Sequence, residues 1–75
     1  MKEALFYVLN SLVEKPENVV INYETDGEIS RFKIKVDDSD RGKVIGKDGR
    51  VVKAVRNVFG IIGRKSNQKV FIEIV

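Results

Sequence analysis

The sequence contains no cysteine, no histidine and no tryptophan, and it has a single proline. Without thiols there is no disulfide framework. Without thiols or imidazoles there is no zinc site of the usual ligand set and no nucleophile–histidine pair for covalent catalysis. A general acid–base enzyme would then need a clustered carboxylate pair, and none stands out, so a non-catalytic protein with no cofactor and no metal is expected. Long apolar runs are missing too. The longest early one, Ala4 to Leu9, is followed by Asn10 and Ser11 and is too short for a secretory core. Nothing approaches the roughly 20 apolar residues of a membrane span. These absences predict a soluble, cytoplasmic protein with no membrane partner.

What is present is charge, unevenly placed. The net charge of +3 conceals a division: residues 1–40 hold five Lys/Arg and nine Asp/Glu, a net of −4. Residues 41–75 hold nine Lys/Arg against Asp48 and Glu73, a net of +7. A basic half on a small globular chain points to a polyanionic partner, usually nucleic acid. A merely solvated basic surface would read the same way on charge alone. With 75 residues there is room for one domain, 1–75, and not two.

Periodicity supplies the elements. Leu5, Val8, Leu9, Leu12 and Val13 recur at helical spacing until Pro16 stops the pattern. Val19, Ile21 and Tyr23 alternate with polar residues, although Val20 breaks the alternation; Phe32, Ile34 and Val36 then face away from Arg31, Lys33 and Lys35. Between the two strands, Asp26-Gly27 predicts a type I′ hairpin with both of its central residues at positive φ. Asp37-Asp38-Ser39-Asp40 reads as helix caps in an exposed run rather than as a metal site, and a short helix is expected from about Ser39 to Ile45. A longer helix should span about residues 50–63, with Val51, Val52, Val55, Val58, Phe59 and Ile62 as its apolar face, Gly60 as a weak point and Gly63 as C-cap. A polar, basic loop from Arg64 to Lys69 leads to a last strand, Lys69 to Val75, with Val70, Ile72 and Ile74 on one face and Phe71, Glu73 and Val75 on the other. The order is α-β-β-α-α-β, an α+β fold with three helices packed on one face of a three-stranded sheet.

The most informative stretch runs from Arg41 to Arg50. Gly46 and Gly49 lie three apart between two helices, so the backbone can turn sharply there and approach another chain closely. The helix that opens after Gly49 presents its free N–H groups and positive dipole end to an anion. Six basic residues lie between positions 41 and 56, against one acid. Geometry and charge agree on a phosphate, although a Gly-x-x-Gly turn taken alone is most often a plain connector between helices. Other phosphate motifs fail: Gly42 to Lys47 has the wrong spacing for a P-loop, Asp48 stands where a Ser or Thr would be needed, and there is no Gly-x-Gly-x-x-Gly.

Val44-Ile45-Gly46-Lys47-Asp48-Gly49-Arg50 resembles the signature of a KH domain, whose Gly-x-x-Gly loop clamps the backbone of about four nucleotides. The element order resembles the type II arrangement. The whole chain is similar to the small bacterial stand-alone KH proteins of the KhpA (YlqC) group, from Lys15-Pro16-Glu17 through Asp40-Arg41-Gly42-Lys43 to Lys69-Val70-Phe71-Ile72-Glu73-Ile74. The resemblance implies an RNA-binding protein that grips single-stranded RNA, of the RNA-chaperone or post-transcriptional regulator kind. Gly46 and Gly49 would shape the clamp and Lys47 and Asp48 would be its tip. Arg41, Lys43, Arg50 and Lys53 would supply charge beside the phosphates, and Val44 and Ile45 would help form the groove for bases. Arg64–Lys69 would correspond to a variable loop on the opposite wall. The resemblance also implies a homodimer, or a heterodimer with a second KH-containing protein.

All six aromatics, Phe6, Tyr7, Tyr23, Phe32, Phe59 and Phe71, lie outside positions 37–58, so base stacking near the loop is not expected. Two other readings fit the residues. One is a protein–protein assembly module using Phe71 and Val75 on an open sheet face, with only slight nucleic-acid binding. The other is a single-stranded DNA binder, because a phosphate clamp does not require a 2′-OH.

Overall fold

The computed structural model describes residues 1–75. Helix α1 spans Lys2–Leu12 and buries Leu5 and Leu9, four residues apart on one face. It stops before Pro16, which opens a 3₁₀ turn over Pro16–Asn18. Strand β1 (Val20–Asp26) and strand β2 (Ile29–Lys35) pair antiparallel, from Val20 opposite Lys35 to Asp26 opposite Ile29.

That register corrects the expected hairpin. The two central residues are Gly27 and Glu28 rather than Asp26 and Gly27, and Gly27 alone has positive φ, at 60°. A glycine in the first central position suits the type II′ class, which needs one left-handed residue and not two.

Residues 36–68 then form a crossover, because strand β3 (Lys69–Ile74) pairs parallel to β2. The sheet order is β1-β2-β3, with β2 in the centre. The crossover carries a 3₁₀ turn (Asp38–Asp40), helix α2 (Arg41–Ile45), a second 3₁₀ turn (Lys47–Gly49) and helix α3 (Arg50–Lys65). Period-2 alternation places Ile21, Phe32, Ile34 and Ile72 beneath the helices, where they meet Leu5, Leu9, Val44, Val55 and Phe59. The opposite sheet face has no helix on it, and Val20, Arg31, Lys33, Lys35, Phe71 and Glu73 are exposed there. The α+β order with helices on one face is therefore the one that the alternation predicts.

Helix α3 departs from expectation in two ways. Its buried face is Val52, Val55, Phe59 and Gly63, while Val58, Ile61 and Ile62 are exposed. The buried line is set by Gly63, which lies inside the helix and is no C-cap. A Cβ there would come within 2.8 Å of the Gln68 carbonyl oxygen and closer to a Val70 methyl, so the absent side chain lets β3 return tightly against the helix. The helix continues to Lys65, and the left-handed residue that ends the turn is Asn67, at φ 56°. The buried Ser30 hydroxyl donates to Gln68 Oε1 at 2.9 Å and ties this corner to the central strand.

Candidate nucleic-acid interface

The loop between α2 and α3 is built by backbone constraints. Helix α2 closes when the Gly46 N–H donates to the Gly42 carbonyl at 2.8 Å, with Gly46 at φ 76°, ψ 170°. The chain then makes one 3₁₀ turn in which the Gly49 N–H donates to the Gly46 carbonyl at 3.1 Å. Asp48 (φ 57°, ψ 25°) and Gly49 (φ 75°, ψ 16°) are both left-handed. Aspartate is one of the few side chains that visit this region, because a short polar group can bond locally.

The two glycines are required for different reasons. A Cβ on Gly46 would lie 2.9 Å from the Val51 nitrogen and 2.9 Å from the Val51 Cβ, so both φ and a close approach demand glycine. At Gly49 only the positive φ does, since the nearest atom to a Cβ would be 4.0 Å away.

One expectation about this loop needs correcting. Two of the N–H groups at the start of α3 are not free for an anion, because Gly49 donates to Gly46 and Arg50 donates to Lys47 within the 3₁₀ turn. The loop thus satisfies part of its own helix start, and the cations around it are side chains. Arg41, Lys47, Arg50 and Lys53 are all exposed, and none is ion-paired. Asp48 is exposed at the tip beside Lys47.

Two residues expected at the interface have other contacts in the fold. Val44 is 1% exposed and belongs to the core, so it can support a groove only from beneath; Ile45 is half-buried and reaches the surface. Lys43 is held by acids, with its ammonium paired to Glu14 and 3.9 Å from Asp40. The basic segment Arg64–Lys69 is not opposite the loop. It lies at the far end of α3, roughly 24 Å along a helix of this length, against the β1–β2 turn in a cleft lined by Asp26, Glu28, Arg64 and Lys69.

Sequence reasoning missed the residue that seats this end of the molecule. Asp40 is 1% exposed rather than part of an exposed run. Its Oδ1 accepts the Glu14 N–H at 3.1 Å and its Oδ2 the Lys15 N–H at 3.0 Å, joining the segment after α1 to the start of α2. A buried carboxylate bonded in this way is stabilised by charge-assisted hydrogen bonds. The spacing Asp40…Lys43, three apart at a helix start, was the available signal. Asp37 caps the preceding turn: its Oδ2 accepts the Ser39 N–H at 3.0 Å and the Ser39 hydroxyl, and its Oδ1 accepts from Asn18 Nδ2 at 3.0 Å. Those bonds, the Ser39 hydroxyl first, hold its carboxyl below the usual aspartate range against an opposing effect of burial. The Arg56 guanidinium, also unanticipated, donates from Nε to the Ile72 carbonyl at 3.0 Å and pins α3 over β3.

A mixed three-stranded sheet, helices on one face, and a Gly-x-x-Gly turn joining two of those helices define a KH domain of the type II order. The family described as "KhpA/KhpB, KH domain" matches residues 2–74, and the chain belongs to that family. It is 44% identical over 75 residues to the RNA-binding protein KhpA of Clostridium perfringens, with 100% of both chains covered. It is 37% identical to the RNA-binding protein KhpA of Listeria monocytogenes, covering 100% of this chain and 99% of that one. The RNA-binding protein KhpA of Chlamydia trachomatis is also 37% identical, over 100% of this chain and 96% of its own. No solved structure matches significantly. No helix is long and apolar enough to cross a membrane.

Proposed function

We propose that residues 1–75 act as one KH domain that binds single-stranded RNA without catalysis, as an RNA chaperone or post-transcriptional regulator working in the cytoplasm. The observation that carries this reading is the exposed turn at Lys47–Asp48, fixed by left-handed residues and ringed by the unpaired cations Arg41, Lys47, Arg50 and Lys53. Such a turn lets a sugar–phosphate chain approach the backbone at Gly46–Gly49, with side-chain charge on the phosphates. Bases then meet Ile45 and the polar edge of β3 beside Arg56 rather than an aromatic platform. The relatives named RNA-binding proteins support RNA as the ligand.

Binding by one such module is weak and salt-dependent. If about three phosphates are neutralised, a slope of roughly −0.7 per phosphate gives about a twentyfold loss between roughly 50 and 200 mM salt. Anisotropy with a labelled single strand tests the reading, and Lys47→Asp must weaken binding while the circular dichroism spectrum stays that of the wild type. Equal affinity in the two proteins, or a flat salt response, removes the loop from the mechanism. Competition with the matching DNA strand separates an RNA binder from a general single-strand binder.

A second reading, assembly with a protein partner, is favoured by one observation. Val58, Ile61 and Ile62 make an exposed apolar stripe on α3 beside its buried face, with Val58 53% and Ile61 49% accessible. This stripe suits a homodimer or a heterodimer with a second KH-containing protein, and it leaves the loop end of α3 open. Sedimentation of wild type against Ile61→Lys tests it; an unchanged mass excludes the stripe as the interface.

A further inference from the structure

The face of the sheet away from the helices carries a feature that the loop does not use. Arg31, Lys33 and Lys35 follow one another along the central strand, all exposed and all on this face. Side chains two apart in a strand stand about 6.6 Å from one another. The row is therefore a straight track of three cations, with steps comparable to those between phosphates in an extended strand.

Neighbouring strands set acids beside this row without ion-pairing it. Glu24 of β1 is in register with Arg31 and Glu73 of β3 is in register with Lys33, yet no ion pair forms in either place. The acids border the track on both sides and leave its three ammonium and guanidinium groups free of close partners. Beside Arg31, in register on β3, stands Phe71, whose side chain is 52% exposed with no aromatic partner. An exposed ring next to an arginine on an open sheet is a stacking surface for a base. Regularly spaced anions together with flat rings describe a nucleic-acid strand; an acidic peptide offers the charges without the rings.

We propose that this open face is a second contact surface for single-stranded RNA, with phosphates on the Arg31–Lys33–Lys35 track and a base on Phe71. It rests on the reading of the chain as an RNA binder, and it adds a site on the opposite side of the sheet from the helical layer that bears the loop. A chain with both sites holds two RNA segments at once, an arrangement that favours their meeting.

The test uses two RNA probes, a strand of about four nucleotides, the length that a KH loop clamps, and an unstructured strand of about 20. The triple variant Arg31→Gln, Lys33→Gln, Lys35→Gln changes only exposed side chains, as does Phe71→Ala. With the triple variant, affinity for the short strand should stay within about twofold. For the long strand it should fall about tenfold, and the salt slope should shrink by roughly 2, as expected for three lost phosphate contacts. Phe71→Ala should cost about fivefold on the long strand. An unchanged slope in the triple variant, or wild-type long-strand affinity in Phe71→Ala, overturns the proposal, as does displacement of the long strand by polyglutamate as readily as by unlabelled RNA. Failure of the loop reading looks different, because the short strand would then bind wild type and Lys47→Asp equally while the long-strand results still judge the sheet face.

Discussion

Helix α3 ends in a basic turn on both sides, and the two turns are not equivalent. Each contains one non-glycine residue in the left-handed region, Asp48 at φ 57° and Asn67 at φ 56°. Each is flanked by cations, Lys47 and Arg50 at one end, Arg64, Lys65 and Lys69 at the other. At the far end the β1–β2 turn brings Asp26 and Glu28 into the same cleft as Arg64 and Lys69. At the near end the acids that approach, Asp40 and Glu14, are engaged with backbone N–H groups or with Lys43, and Arg41, Lys47, Arg50 and Lys53 remain unpaired. Similar local sequences thus acquire different fields from the acids that the fold brings beside them.

The sharpest way to break the near end is through Gly46. Gly46→Val forces a branched side chain into a left-handed residue and into Val51, and it should cost about 2–5 kcal/mol, from left-handed strain plus overpacking. Gly49→Ala meets no clash and should cost only about 1–2 kcal/mol. Urea unfolding of both variants measures the difference, and equal losses would mean that the close approach to Val51 is unimportant.

Next in size is Asp40→Ala. It leaves the Glu14 and Lys15 N–H groups without their buried acceptor and should cost about 2–3 kcal/mol. Amide exchange should quicken at Glu14, Lys15 and α2 while the corner at Gln68 keeps its protection. Uniform quickening would show that Asp40 supports the whole fold rather than the loop end.

Much of this architecture was legible in the sequence because its signals are local. Alternation in β2, the helical spacing of Leu5 and Leu9 and the Gly-x-x-Gly turn each depend on residues near one another. What was illegible depends on contacts between distant segments. Val58 and Ile62 fit an apolar face by period, but the tight return of β3 over Gly63 rotates α3 onto Val52, Val55 and Phe59. Val44 looked like a groove residue because it adjoins the loop, yet in a helix of five residues it is the inward-facing one. The pairing of Lys43 with Glu14 joins residues 29 apart, and no pattern in the chain announces it.

The electrostatic contrast between the two turns gives a smaller effect. Lys47→Asp should lower affinity for a short RNA strand about tenfold, whereas Lys65→Asp, at the end where acids already gather, should change it less than about threefold. Equal losses would mean that net charge alone decides binding. Glu14→Gln works in the opposite direction. It removes the exposed partner of Lys43, which contributes little to stability, and leaves only the longer 3.9 Å contact with Asp40, so affinity should rise up to about twofold with an unchanged unfolding midpoint. Unaltered affinity would place Lys43 outside the interface.

The smallest expected effect concerns acid and again separates the two ends. Asp37 caps the turn that leads into α2, and its hydrogen bonds from Ser39 and Asn18 lower its pKa in the folded chain. In the unfolded chain it titrates near the ordinary value of about 3.9. The unfolded state therefore takes up a proton first as pH falls, so the capping contribution is complete above about pH 4 and is lost as pH drops through the lower folded value. Wild type should then exceed Asp37→Ala in thermal midpoint at neutral pH, and the gap should narrow as pH falls below about 4. Protonation weakens the bonds from Ser39 and Asn18 but touches nothing at Asn67, so α2 amides should lose protection in acid before those of the far turn. A gap that does not change with pH would mean that Asp37 acts through its shape and not its charge.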